Sequence, residues 1–370
     1  MTASVPSMWP DQDDASGHEP LLRVAPGAID VTGVAQERAW EIGLLPGVEL
    51  VRPGLWSIPL PMATTRYVIV YAIELANGLA LVDAGWDSDE AWKILTDGLQ
   101  IIGGSIEDVE AVLVTHLHRD HYGLAGRIRD ASGATVSLHR ADAEVVENNR
   151  NDNGERVASA RRLMVRCGLP ATDVDEVLDA FSRMVPTSTV PDILLDHGDR
   201  APIAGLDLEV IWTPGHSPGH VCFYEQQRRL LFAGDHLLPR ITPNVSIHLD
   251  REMNPLADFL DSLATVRTID ADEILPAHEF RFRGLEVRVD ELVAHHEARL
   301  EAIERFVESA PASSVWQIAQ ALPWSRPWAA LPHHVRRSAV GETLAHIVLL
   351  ELRERLRRDS SGDAWRFFRP

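Results

Sequence analysis

Residues 115–121 read Thr-His-Leu-His-Arg-Asp-His and follow directly on the apolar stretch Ala111-Val112-Leu113-Val114. Imidazole and carboxylate are the ligand types that zinc and other borderline divalent metals prefer. In an extended segment side chains alternate faces, so His116 and His118 point the same way, and a turn after them can bring round Asp120 and His121. The same pattern recurs three times downstream. Leu208-Glu209-Val210-Ile211-Trp212 runs into Thr213-Pro214-Gly215-His216, Leu230-Leu231-Phe232-Ala233 into Gly234-Asp235, and Ile274-Leu275-Pro276-Ala277 into His278. An apolar run, a tight turn and then a coordinating residue is the signature of a sheet that presents ligands at its strand ends, where rigid elements hold functional loops. A polar loop rich in histidine by chance would not be echoed in this way.

Together with Asp83 in Leu81-Val82-Asp83-Ala84-Gly85, the ordered set His-x-His-x-Asp-His, Gly-His, Gly-Asp and a final His resembles the motifs of the metallo-β-lactamase superfamily, over roughly residues 51 to 282. That resemblance implies an α/β fold, a four-layer αββα sandwich, here with a helical insertion and a C-terminal helical extension of winged-helix-like character. It implies two divalent metal ions, zinc first and manganese or iron as alternatives. His116, His118 and His216 would hold one and Asp120, His121 and His278 the other, with Asp235 bridging. The division suits the chemistry: neutral imidazoles leave one cation electrophilic, and carboxylates offset the charge of two close cations. Asp120 would also be catalytic, orienting the nucleophile and taking up its proton, and Asp83 would hydrogen-bond a ligand histidine. His220 reads as a buried supporting histidine rather than a ligand. Arg240, Asn244 and His248, on the loop after Asp235, are candidates for substrate contact.

The implied activity is hydrolysis of a carboxylic ester, thioester or lactone by a metal-bound hydroxide. Flavodiiron-type members carry Glu where His118 stands, and one class of zinc β-lactamases carries Cys where Asp235 stands. The pattern therefore looks like the hydroxyacylglutathione hydrolase, lactonase and RNA-nuclease branches. A metal-dependent endoribonuclease and a mononuclear iron persulfide dioxygenase are the alternatives.

The 370 residues are read as an acidic, partly disordered leader over 1–47, the metallo-β-lactamase domain over 48–285 with a helical insertion at about 141–185, and a helical extension over 286–370. Asn77-Gly78 signals a hairpin through positive φ. Ser88 and Asn254 are the expected caps of helices over 88–99 and 254–268, and further helices are expected over 288–309, 313–321 and 337–358. The net charge of −20 argues against nucleic acid as a partner despite the arginine-rich end, and the resemblance implies a small-molecule acyl substrate. No apolar run reaches membrane-span length, and two cysteines, Cys167 and Cys222, read as reduced, buried thiols of a cytoplasmic protein. The pairs His295-His296 and His333-His334 read as surface or interface residues, and the amphipathic C-terminal helices would suit a homodimer.

Overall fold

The computed structural model describes residues 29–62, 66–151, 153–183, 189–247 and 253–370. Strand β1 (Asp30–Val31) and helix α1 (Val34–Glu41) come first, then β2 (Glu49–Arg52), β3 (Leu55–Pro61), β4 (Tyr67–Glu74) and β5 (Leu79–Val82). Helix α2 (Asp89–Ile101) and β6 (Val109–Leu113) lead to two helices, α3 (Arg119–Tyr122) and α4 (Ala125–Ser132), and to β7 (Thr135–His139). Helices α5 (Arg140–Asn151), α6 (Asn153–Cys167) and α7 (Ala171–Arg183) precede β8 (Ile193–Leu195), β9 (Glu209–Trp212), β10 (Val221–Glu225) and β11 (Leu230–Gly234). Helix α8 (Pro255–Val266), β12 (Glu273–Pro276) and β13 (Phe282–Arg283) complete the sheets. The chain then runs through α9 (Leu285–Ser309), α10 (Val315–Ala321), α11 (His333–Leu352) and a hairpin of β14 (Arg357–Asp359) with β15 (Arg366–Phe368).

Seven strands form one sheet in the order β2-β3-β4-β5-β6-β7-β8, and six form the other in the order β1-β13-β12-β11-β10-β9. The sequence of β4 explains why both faces of the first sheet are covered. Val68, Val70 and Ala72 point into a core shared with α2 and α4, while Tyr67, Ile69, Tyr71 and Ile73 point into a core shared with Val210, Val221, Phe223 and Phe232 of the second sheet. A third core on the far side of that sheet joins Ile211, Cys222, Leu231 and Ile274 to apolar residues of α6 to α11. Three apolar seams separate four layers, helix, sheet, sheet and helix, because each strand alternates its apolar side chains across two seams.

Four expectations need adjusting. Residues 30–41, read as leader, are folded into the domain: β1 pairs with β13, and Gln36 and Ala39 are buried. The Asn77-Gly78 hairpin exists, but Glu74 pairs with Leu79, so the loop has four residues, and Gly78 does not take a left-handed backbone. Glycine is required there because a Cβ would lie 2.6 Å from the Asp108 carbonyl. The last helix stops at Leu352 rather than near 358, with Glu354 at φ 55° breaking it. The β14–β15 hairpin comes next, and its Phe367 also bridges to Ser313. Helix, bridging strand residue, two helices and hairpin is the element order of a winged-helix-like module. Finally, His296 is buried rather than superficial. The caps Ser88 and Asn254 accept from Ala91 N at 3.1 Å and Ala257 N at 3.2 Å, and both cysteines are buried and free.

Candidate metal centre

The candidate ligands stand where strands of the two sheets end side by side. The first sheet contributes the segment after β6, with His116, His118 and the short α3 carrying Asp120 and His121. The second contributes His216 after β9, Asp235 after β11 and His278 after β12. Asp83, just past β5, takes a left-handed backbone with φ 65°. Its Oδ1 accepts from Thr115 N at 2.8 Å and Thr115 Oγ1 at 2.9 Å, and its Oδ2 accepts from His121 Nδ1 at 2.8 Å.

Hydrogen bonds settle the orientation of three rings. His216 Nδ1 lies 2.8 Å from the Asn244 carbonyl and His278 Nδ1 lies 2.9 Å from the Tyr67 carbonyl, and a carbonyl can only accept. Both rings therefore carry a proton on Nδ1 and turn Nε2 inward, the nitrogen left to meet a cation, as His121 does through Asp83. Donor atoms converge in three groups: His116, His118 and His216; His116, His121 and Asp235; and Asp120, His121 and His278, with all ligand atoms of a group within 4.8 Å. The Asp235 carboxylate faces both ends of the cluster. Its Oδ2 is 3.3 Å from His216 Nε2, and its Oδ1 is 3.3 Å from His278 Nε2 and 3.5 Å from His121 Nε2. His121 Nε2, His216 Nε2 and Asp235 Oδ1 are buried with no hydrogen-bond partner. Buried polar atoms are nearly always satisfied, and these three converge on one small volume. The residues fit a divalent cation.

Electrostatics divide the cluster. Burial, reinforced by crowding among His121, His118 and His216, pushes His116 well below the ordinary imidazole value. Burial, with His216 beside it, lowers His118 to about 3. Around the carboxylates the balance reverses. Burial opposes the ionised Asp120, yet His121 and His278 hold its carboxyl well below the usual range. Burial also opposes protonation of His121 and His278, yet Asp235 and Asp120 raise both. One end therefore favours neutral imidazoles, and the other asks for positive charge between Asp120 and Asp235, which a bound cation supplies.

His220 is buried, receives Asp235 N–H on Nε2 at 3.1 Å and pairs with Thr213 Oγ1 through Nδ1 at 2.8 Å, so both nitrogens are engaged away from the cluster. Arg240 pairs with Glu279, the neighbour of His278, through its backbone N–H at 3.1 Å and its guanidinium at 3.2 Å. Asn244 gives its carbonyl to His216, and its side chain bonds Ser246. Both residues thus bond groups that support the cluster, Arg240 beside His278 and Asn244 at His216. His248 lies outside the described residues. Arg119 stacks on Trp86 with its guanidinium carbon 4.6 Å from the ring centre, clear of the ligand group. The buried Asp142 of α5 is a site-associated residue that sequence reading passed over. Its only signal was an acid in the first turn of a helix that directly follows a buried strand.

Fold and site together define a metal-dependent hydrolase built on two stacked sheets. The model of the metallo-beta-lactamase superfamily matches residues 63–278. The chain belongs to that superfamily. A metallo-beta-lactamase family protein of Thermus thermophilus has a structure similar to this one, with a TM-score of 0.75 and 32% identity over 87% of this chain and 100% of that one. A beta-lactamase domain protein of Burkholderia ambifaria matches with the same TM-score, 0.75, and 26% identity over 92% of this chain and 98% of that one. Among curated relatives, the Bacillus subtilis protein named "Probable metallo-hydrolase YqjP" is 24% identical over 80% of this chain and 91% of its own length. A hydroxyacylglutathione hydrolase of Pseudomonas putida is 26% identical over 52% of this chain and 58% of its own.

Proposed function

We propose that this chain is a dinuclear metal-dependent hydrolase of carboxylic esters, thioesters or lactones. The observation that carries the reading is the placement of Asp235, with one carboxylate oxygen toward His216 and the other toward His278 and His121. A carboxylate in that position could give one oxygen to a cation on either side. His116, His118 and His216 would hold one, and Asp120, His121 and His278 the other. When bound, such ions supply Lewis acidity and lower the pKa of a water molecule to about 7. The protein's own part is to hold the rings with Nε2 inward and to keep His116 and His118 neutral. Asp120 stays ionised so that it can orient a nucleophile and accept its proton. The likeness to hydroxyacylglutathione hydrolase over about half the chain favours thioesters as the first substrates to try.

The nucleic-acid alternative is weakened by the state of the C-terminal arginines. Arg353 pairs with Glu297 at 2.8 Å, while Arg355 and Arg358 pair with Glu304 and Glu351. Arg336 is drawn to Asp173 and to the carbonyls of Trp328 and Ala329. Cations already neutralised within the fold contribute little to phosphate binding. Among the described residues no helix is long and apolar enough to cross a membrane.

The test begins with elemental analysis of protein purified without added metal, followed by ester, thioester, lactone and single-stranded RNA panels. Two zinc or manganese ions per chain with thioester or ester turnover are expected. A single iron with oxygen consumption on persulfides would replace the reading, as would RNA cleavage without ester turnover.

A further inference from the structure

Asp142 lies outside the groups that could hold a metal, yet it touches both segments that carry the three-histidine end of the cluster. It is completely buried. Its Oδ2 accepts from Leu117 N at 2.8 Å and from Ser217 Oγ at 2.8 Å, and its Oδ1 accepts from Gly219 N at 2.6 Å. Leu117 sits between His116 and His118, and Ser217 follows His216. A Cβ on Gly219 would meet the Asp142 Cβ at 2.7 Å, so the turn after His216 is pressed directly on the start of α5. The two segments are otherwise tied at their base by the Val221 N to Thr115 O bond at 2.8 Å. The first helix of the insertion thus reaches into the site's framework.

We propose that Asp142 is a positioning residue that locks the His116–His118 loop to the His216 turn and so sets the geometry of the three-histidine subsite. The inference rests on the reading that these histidines hold a metal. Its chemistry is specific to a carboxylate. All three partners are donors, two of them backbone N–H groups on different oxygens, so an amide in either orientation points an N–H at an N–H. Loss of a group that orients metal ligands typically weakens metal binding about 10–100-fold. Asp142 meets only one end of the cluster, so the effect falls on one metal. The Asp120, His121 and His278 subsite is held instead through Asp83 and Tyr67.

The experiment is a stepwise chelator-competition titration of full-length protein with cobalt(II), recording the visible ligand-field bands. His118→Ala and His278→Ala identify which step belongs to which subsite. In Asp142→Asn the step lost in His118→Ala should weaken at least tenfold with shifted bands, while the step lost in His278→Ala stays within about threefold. Two wild-type steps with unchanged bands in folded Asp142→Asn would overturn the proposal. If that variant does not fold, Ser217→Ala decides, since it removes one of the three donors. A several-fold weaker three-histidine step supports the role of Asp142, and a wild-type step rejects it. Wild-type protein that binds no metal at the three-histidine step would instead break the underlying metal reading.

Discussion

At the strand ends, His121, His216 and His278 each commit Nδ1 to an acceptor outside the cluster and turn Nε2 toward shared carboxylates. Between α9 and α11, His346 donates Nδ1–H to the Glu342 carbonyl at 2.8 Å and accepts from His296 Nδ1 at 3.1 Å, leaving His296 Nε2 without a partner. Both sets are buried and both contain rings in contact. They differ in what surrounds the nitrogens. In the first, Asp120 and Asp235 sit among them and raise His121 and His278; in the second, burial dominates and pushes down both rings and the neighbouring half-buried His295, His295 to about 4 and His346 to about 3. Buried histidines alone therefore do not mark a metal site. Convergent ring nitrogens with carboxylates between them do.

The contrast breaks most easily at Asp235. Asp235→Ala should lower metal content below one ion per chain and cut hydrolysis by on the order of 10²–10³-fold or more, the range for removing one electrostatic group from an active site. His296→Gln should keep two metals and near-normal turnover. Elemental analysis and initial rates read both variants, and metal loss in His296→Gln would erase the distinction.

Asp83 sharpens it. Asparagine tolerates a positive φ better than most residues, so Asp83→Asn removes charge at φ 65° with little added backbone strain. Without the carboxylate behind His121, the affinity of the second metal should fall about 10–100-fold, with a smaller effect on the three-histidine step, which Asp83 reaches only through Thr115. Competition titration measures the two steps separately, and equal weakening of both would count against a subsite-specific role.

Acid should act on the C-terminal set through stability. Its folded-state values lie below the ordinary imidazole value of about 6.5, so below that pH the unfolded chain binds more protons than the folded one. Stability is full above about pH 6.5 and declines as pH falls toward 4 and then 3. At pH 5 the loss is about 2 kcal/mol for each ring kept neutral. The protection of α9 and α11 amides, taken relative to their intrinsic exchange rates, should fall between pH 7 and 5, and His346→Gln should flatten that slope. An unchanged slope would show that the rings do not titrate with unfolding.

How much of this could be read from sequence depends on how local each arrangement is. His116, His118, Asp120 and His121 fall in one short run, and His216, Asp235 and His278 each follow an apolar strand and a turn, so strand-end placement was legible. Asp142 was not, because its partners lie 25, 75 and 77 residues away and the carboxylate itself carries no motif. Distance also hid the pairing of Asp30 with Arg283, whereas the β14–β15 hairpin is local and was hidden because its short strands are charged and lack a long apolar alternation. One histidine of α9 was misjudged for a related reason. His295 and His296 stand outside the ligand motifs and read as surface or interface residues, whereas α11 packs against α9 and buries His296.

The two regions also meet, and Gly341 tests how tightly. This residue of α11 offers its carbonyl to Ile247 N at 3.2 Å, and Ser246 Oγ bonds the Ser338 carbonyl at 3.3 Å. The segment held in this way contains Asn244, whose carbonyl fixes the His216 tautomer. In an open helix, glycine to alanine would stabilise by about 1 kcal/mol. Here the new Cβ would lie 2.9 Å from the Ile247 carbonyl oxygen and 3.1 Å from Ser246 Cβ, and a backbone atom cannot rotate away as a side-chain tip can. Gly341→Ala should therefore lower the melting temperature instead of raising it. By displacing residues 244–247 it should also weaken the three-histidine metal step a few-fold, within the lower part of the roughly 10–100-fold range for supporting groups. A raised melting temperature with unaltered metal binding would mean that the extension rests against the site loop without constraining it.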